Sequence, residues 1–272
     1  MSGVLRAARA LGDATALLVT AGAGMGVDSG LPDFRGDRGF WRAYPPYEKL
    51  GLSFSDLANP RWFDRDPEFA WGFYGHRLAL YRRTAPHEGF AILRRLVERI
   101  GEGFVFTSNV DGQFQRAGFD PDRILEVHGA IDHVQCTAAC GVGILSADPF
   151  APEVDETTFR ARPPLPTCPR CGALLRPNIL MFGDADWDDA RAADQHARFG
   201  AWVRRVVGPR LVVVECGAGT AIPTVRGLGE QLARAGATLV RINVREPQDA
   251  TISIATGALD ALRAIEQTIN NT

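Results

Sequence analysis

Lysine is nearly missing from this chain: Lys49 is the only one among 30 basic residues, and the rest are arginine. A biased base composition accounts for this, and it leaves the protein almost no side-chain amine of its own to offer a lysine-directed reaction. Long apolar runs are missing too. No stretch reaches the eighteen or so residues a membrane-spanning helix needs, and no basic start with an apolar centre marks a signal peptide. A cytoplasmic chain with no membrane partner is expected. Neither sign of charge is in excess, at a net −2, so there is no basic footprint for nucleic acid. No internal repeat or low-complexity linker divides the 272 residues, which suits one large domain with inserted lobes. Cysteines are few, five in all. An odd count with four in two close pairs argues against a disulfide framework and for metal. Nothing in the pattern sets an oligomeric state.

What is present is organised around Val19 to Gly36. The apolar run Ala16-Leu17-Leu18-Val19 reads as the first strand of a sheet, turning through Gly22-Ala23-Gly24 into a helix. Such a turn brings backbone amides close to a phosphate at the positive end of a helix dipole. Glycines alone are also plain turn chemistry. The continuation into Pro32-Asp33-Phe34-Arg35-Gly36 adds an acid, a ring and a guanidinium, a set able to hold a charged heterocycle.

Further along, Phe104–Thr107 and Ile124–Val127 read as strands, ending in Ser108-Asn109-Val110-Asp111 and in His128-Gly129. In open α/β sheets ligands bind at that carboxyl edge. Pro86-His87-Glu88 starts a helix, with His87 expected in solvent. The sheet is expected to resume at Asn178–Phe182, and Leu211–Cys216 reads as a central strand covered on both faces. Its glycine turn, Gly217-Ala218-Gly219-Thr220, opens a helix; Thr238–Asn243 and a helix over Ala258–Ile269 complete the pattern. Alternating strands and helices predict an α/β fold with a doubly wound parallel sheet. The large lobe is expected over about 1–36, 85–130 and 177–272. A helical insertion covers about 37–84, and a proline-rich second insertion about 131–176.

That second insertion holds Cys136-x3-Cys140 and Cys168-x2-Cys171. Two thiolate turns complete a tetrahedron, so zinc is expected, in a closed structural site that replaces the core a proline-rich segment cannot build. Cys216, in an apolar strand, reads as a buried small hydrophobe.

The ordered set Gly-Ala-Gly through Pro32-Asp33-Phe34-Arg35, Thr107-Ser108-Asn109-Val110-Asp111, His128-Gly129, the cysteine pairs, Arg176 to Asp184 and Ile242-Asn243 resembles the sirtuins, the NAD-dependent protein-lysine deacylases. The resemblance covers almost the whole chain and implies a Rossmann-type NAD domain carrying a zinc-ribbon lobe and a helical lobe. It implies that the amide oxygen of an acylated lysine displaces nicotinamide from NAD, with His128 as general base, so that nicotinamide and O-acyl-ADP-ribose are formed. Asn109 and Asp111 match the nicotinamide-side residues, and Asp33, Phe34 and Arg35 the loop over that pocket. Gly22, Ala23, Gly24, Ser108, Gly217 and Gly219 fall in the cofactor-binding motifs, and Asn243 matches the adenosine-ribose contact. Ile179, Leu180, Phe182 and Gly183 belong to the edge where the acyl-lysine peptide would add as a strand. Tyr74-x-x-Arg77, three apart on one helix face, resembles the family's receptor for succinyl and malonyl groups, since a guanidinium with a phenol can bind a carboxylate at two points.

The chain also departs from the pattern. Gly26 stands in place of a serine, Ser108 in place of a glutamine, and Gly217-Ala218-Gly219 in place of Gly-Thr-Ser. Arg245 stands in place of an acid. Each loss removes a hydrogen bond worth about 0.5–1.5 kcal/mol, more if a buried partner is stranded. Ser108 keeps open an NAD glycohydrolase or ADP-ribosyltransferase, and a non-catalytic sensor of NAD or ADP-ribose stands as a third reading.

Overall fold

The computed structural model describes residues 2–32, 44 and 51–271. Helix α1 (Gly3–Gly12) is capped by Ser2, whose side chain accepts the Leu5 N–H at 3.3 Å. Strand β1 (Ala16–Ala21) is buried along its whole length. The glycine turn then winds into the expected helix, of 3₁₀ type, over Ala23–Ser29. Glycines at 24 and 26 weaken any α-helix there, and Gly30, at φ 86°, ends the segment. Two short helices, α2 (Phe54–Leu57) and α3 (Arg61–Arg65), lead to the longer α4 (Pro67–Arg83). Asp66 caps α4 by accepting the Phe69 N–H at 3.2 Å, and Pro67 fills its first position, where a missing N–H costs nothing.

Helix α5 (Glu88–Ile100) corrects one expectation. His87 is buried, because its Nδ1 accepts the Gly89 N–H at 3.0 Å while Nε2 lies 2.9 Å from the Met25 carbonyl. The ring ties the helix start to the glycine turn. The chain continues through β2 (Gly103–Thr107), α6 (Gln113–Arg116), β3 (Ile124–Glu126) and β4 (Gly129–Cys136). The short strands β5 (Leu145–Ser146), β6 (Val154–Asp155) and β7 (Arg160–Ala161) precede β8 (Leu175–Ile179). Then come α7 (Ala190–Val206), β9 (Leu211–Cys216), α8 (Thr224–Arg234), β10 (Thr238–Ile242), β11 (Ile252–Ile254) and α9 (Ala258–Asn270).

Six strands form a parallel sheet in the order β11-β10-β9-β1-β2-β3. Alternation along each strand sorts the side chains. Leu17, Val19 and Val214 share a core with Phe90 and Leu93 of α5 and Leu262 of α9. Leu18, Phe104 and Val213 face Phe199 and Trp202 of α7 and Leu232 of α8. The expected doubly wound architecture is therefore present. One strand belongs elsewhere: β8 pairs antiparallel with β4 in a three-stranded sheet, order β5-β4-β8, and not with the large sheet. Pro177 within β8 explains this, since a proline is tolerated on an edge strand and disrupts a central one.

The helical and cysteine-bearing segments share one core. Trp71, Phe73 and Tyr74 of α4 pack with Val134, Phe159 and Leu175, and the Trp71 indole donates to the Leu175 carbonyl at 2.9 Å. Gly72 permits this contact: a Cβ there would lie 1.9 Å from the Phe159 carbonyl oxygen. The apolar reading of β9 missed an ion pair in the large lobe. Glu215 and Arg241 are fully buried and 2.5 Å apart, and Arg241 also donates to the Gln248 carbonyl. Breaking such a buried pair costs about 3–5 kcal/mol, so it locks β9 against β10 and fixes the loop that follows.

Candidate active site

The sheet order reverses between β9 and β1, and both strands end in glycine turns. Ligands of open α/β sheets settle at such a point. Gly22 donates to the Cys216 carbonyl and Gly24 to the Gly217 carbonyl, each at 3.0 Å. The turns touch backbone to backbone: a Cβ on Gly22 would lie 2.8 Å from the Ala218 Cα, and one on Gly217, at φ 63°, would lie 2.3 Å from the Gly24 carbonyl carbon. No side chain fits at either position, which leaves a backbone-lined cradle suited to a diphosphate.

A cavity of about 370 Å³ opens from this cradle. It brings together Gly22, Ala23, Ser108, Asn109, Asp111, His128, Tyr74, Arg77, Ile179, Leu180, Phe182, Gly217 and Gly219 from the sequence reading. Gly24, Gly183 and Asn243 do not line it. Asp33, Phe34 and Arg35 lie outside the described residues.

Beyond β2, Thr107 Oγ1 donates to the Ala21 carbonyl at 3.1 Å and accepts the Asn109 N–H at 3.0 Å, while Asn109 Nδ2 donates to the Gly22 carbonyl. These bonds hold Asn109 against the first glycine turn. Asp111 is buried, and the loss of water pushes its carboxyl up to about 6 against one N–H from Gln113. Gly26 contributes to that isolation. A Cβ there would be 3.7 Å from Asp111 Oδ2, so the serine of the family pattern would stand beside the carboxylate. Burial draws the His128 imidazole below its ordinary value, opposed by a hydrogen bond to the Ser108 backbone. The ring is therefore neutral, and a competent proton acceptor, at pH 7.

Helix α4 supplies the far wall. Arg77 is buried, and its Nε and Nη2 both donate to Tyr81 Oη, at 3.1 and 2.8 Å. Its guanidinium also sits over the rings of Phe54, Phe73, Tyr74 and Tyr81 at 5.2–5.9 Å. The Tyr74 hydroxyl is buried and has no hydrogen-bond partner among the described residues. Tyr81 lines the same cavity and was missed in the sequence; its signal was the one-turn spacing from Arg77.

The segment after β8 is pinned rather than open. Leu180 donates to the His128 carbonyl, Phe182 to the Ala58 carbonyl and Met181 to Asp184 Oδ2. Asp184 is in turn held by a buried ion pair with Arg176, whose Nη2 lies 2.9 Å from both carboxylate oxygens. Leu180 and Phe182 still expose their side chains at the cavity. Asn243 is buried, its Nδ2 donating to the Ala218 carbonyl and its Oδ1 accepting two amides, so it shapes the second glycine turn.

The thiols of Cys136, Cys140, Cys168 and Cys171 lie within 4.8 Å of one another, two pairs at 3.6 Å. Sulfurs tetrahedrally bound to zinc at 2.3 Å are about 3.8 Å apart. The cluster fits a zinc ion with no further ligand. Cys216 stands apart and buried.

The Sir2 family model matches residues 22–203. The chain belongs to the Sir2 family. Like it are the NAD-dependent protein deacylases of Thermus thermophilus and Aeropyrum pernix. The first is 31% identical over 94% of this chain and 91% of its own length. The second is 34% identical over 68% of this chain and 66% of its own length. A crystal structure of a Sir2 homologue bound to NAD superposes with a TM-score of 0.78 at 26% identity, covering 98% of this Sir2-family chain and 94% of that one. No helix among the described residues is long and apolar enough to cross a membrane.

Proposed function

We propose that this Sir2-family chain is a cytoplasmic NAD-dependent protein-lysine deacylase whose pocket takes acetyl and acidic acyl groups. The observation that carries the reading is a single cavity joining three parts. It runs from the paired glycine turns to His128, and on to Tyr74, Arg77 and Tyr81.

Gly22, Ala23, Gly24, Gly217 and Gly219 form the cradle for the dinucleotide diphosphate, and Asn243 keeps that cradle in shape. Bound there, the dinucleotide supplies an electrophilic ribose carbon and a nicotinamide leaving group. Asn109 and Asp111 face the nicotinamide side, where a cationic ring would favour the ionised form of a carboxyl otherwise raised by burial. Asp33, Phe34 and Arg35 match in sequence the family's loop over that pocket. The neutral imidazole of His128 takes the proton from a ribose hydroxyl, which then attacks the captured acyl group. The peptide lies along Ile179 to Gly183, with Leu180 and Phe182 as its apolar contacts. Tyr74 and Arg77 bind the acyl carboxylate, with Tyr81 holding the guanidinium. Cys136, Cys140, Cys168 and Cys171 hold zinc in a structural role.

In this reading the large lobe comprises about 1–36, 85–130 and 177–272, with the helical insertion at 37–84 and the zinc insertion at 131–176. Replacing His128 with alanine tests the central role. Peptide deacylation should be abolished while calorimetric NAD binding persists, and unchanged turnover would remove His128 as the base.

A further inference from the structure

The order β11-β10-β9-β1-β2-β3 is the dinucleotide-fold order 3-2-1-4-5-6, with the chain entering at the fourth strand. Strand β9 is then the first strand of that fold, Gly217-Ala218-Gly219 its phosphate turn, and β10 the second strand. The segment leaving the second strand is where such folds read the adenosine ribose. An acid there accepts the 2′-hydroxyl, whereas an arginine accommodates a 2′-phosphate.

In this chain that segment is tied to the turn at both ends. Ile242 lies beside Cys216 in register. Asn243 Nδ2 donates to the Ala218 carbonyl at 2.7 Å, and its Oδ1 accepts the Arg245 and Glu246 amides at 3.0 and 3.1 Å. From below, buried Arg226 donates to the Glu246 carbonyl at 2.8 Å. Glu246 is the one acid between Asn243 and Gln248, and its carboxylate is drawn to Thr220, accepting the hydroxyl at 2.7 Å and the amide at 3.2 Å. The acid thus serves the turn. Arg245, between two residues that both bond to that turn, is exposed, and its guanidinium makes no hydrogen bond or ion pair among the described residues.

We infer that this pocket accepts a dinucleotide phosphorylated on the adenosine 2′-hydroxyl, with Arg245 meeting the phosphate. The inference rests on the dinucleotide reading of the site and extends its ligand class from NAD to its 2′-phosphate. A guanidinium–phosphate contact is charge-assisted and can be bidentate, which compensates a 2′-phosphate for the Glu246 charge nearby.

Calorimetric titration of the full chain with NAD+ and with NADP+, at one fixed salt concentration, tests this without turnover. The expected dissociation constants lie within about tenfold of each other. Arg245→Glu should weaken NADP+ relative to NAD+ by about thirtyfold or more, and Arg245→Lys should retain most of the NADP+ affinity. Using the ratio cancels general damage to the fold. NADP+ bound more than about a hundredfold weaker than NAD+, or a ratio unchanged by Arg245→Glu, overturns the inference and leaves the NAD reading intact. Failure of NAD+ itself to bind overturns both.

Discussion

Replacing Tyr81 with phenylalanine removes the oxygen that accepts both the Arg77 Nε–H and an Nη2–H, at 3.1 and 2.8 Å. Two donors of a guanidinium only 4% exposed lose that partner. Hydrogen bonds to charged groups contribute about 1.5–3 kcal/mol. The rings of Phe54, Phe73 and Tyr74, within 5.9 Å of the cation, are unchanged by the substitution, so only the hydrogen-bond contribution is lost. A net loss of about 2 kcal/mol follows, equivalent to about 4–8 °C in melting temperature. Tyr74→Phe has the opposite sign on stability. It deletes a buried hydroxyl with no partner among the described residues, so the ligand-free protein should gain up to about 1 kcal/mol. Burial raises the pKa of both phenols, so both remain donors across any practical assay range. Both substitutions should therefore lower kcat/KM for a succinyl-lysine peptide by about tenfold or more relative to an acetyl-lysine peptide, which corresponds to about 1.4 kcal/mol. Paired peptide kinetics with thermal melts measure all four quantities. Equal losses on both peptides, or Tyr74→Phe destabilising as much as Tyr81→Phe, would refute the reasoning.

Metal analysis should find about one zinc per chain. Because Trp71 and Gly72 of α4 bind the zinc lobe directly, chelation should change tryptophan fluorescence and abolish succinyl-peptide turnover; a chelated protein with full turnover would contradict the shared core. Asp111→Asn should stabilise the ligand-free protein at pH 8 by up to about 3 kcal/mol, from a carboxyl raised from 3.8 to about 6. A raised carboxyl binds its proton more tightly when folded, so its stabilisation is present at low pH and lost as pH rises through about 6. The gain from Asn should therefore vanish near pH 4, and thermal melts at the two pH values decide it. The acid limb of kcat/KM should have its midpoint below 6.5, because burial lowers the His128 pKa; a limb above that value would point to another base.

The parts of the fold that could be read in the sequence are those written locally. The glycine turn, the polar residues ending β2 and β3, and the close cysteine pairs each declare their chemistry within a few positions. Long-range pairing does not. Asn178–Phe182 looked like another strand of the main sheet, and only Pro177 hinted that β8 belongs on the edge of a different one. His87 looked like an ordinary first-turn residue because its partner, Met25, is 62 positions away. Glu215 was hidden in an apolar strand because Arg241 lies 26 residues on. The side chain of Asn243 bonds two amides of its own loop and, 25 residues back, the Ala218 carbonyl of the second glycine turn, a tie that no local pattern declares. The Tyr74/Arg77 spacing placed both residues at the cavity, while the partner that orients the arginine is one turn further along, at Tyr81.

The most direct test is a mass balance on the purified protein. It would be supplied with NAD+ and either an acetyl-lysine or a succinyl-lysine peptide, and peptide, nicotinamide and nucleotide products would be followed together by mass spectrometry. The account predicts one nicotinamide and one O-acyl-ADP-ribose for each lysine released. Nicotinamide release with no deacylated peptide would contradict it, and would turn attention to Ser108 and to a glycohydrolase or transferase reaction in the same cavity.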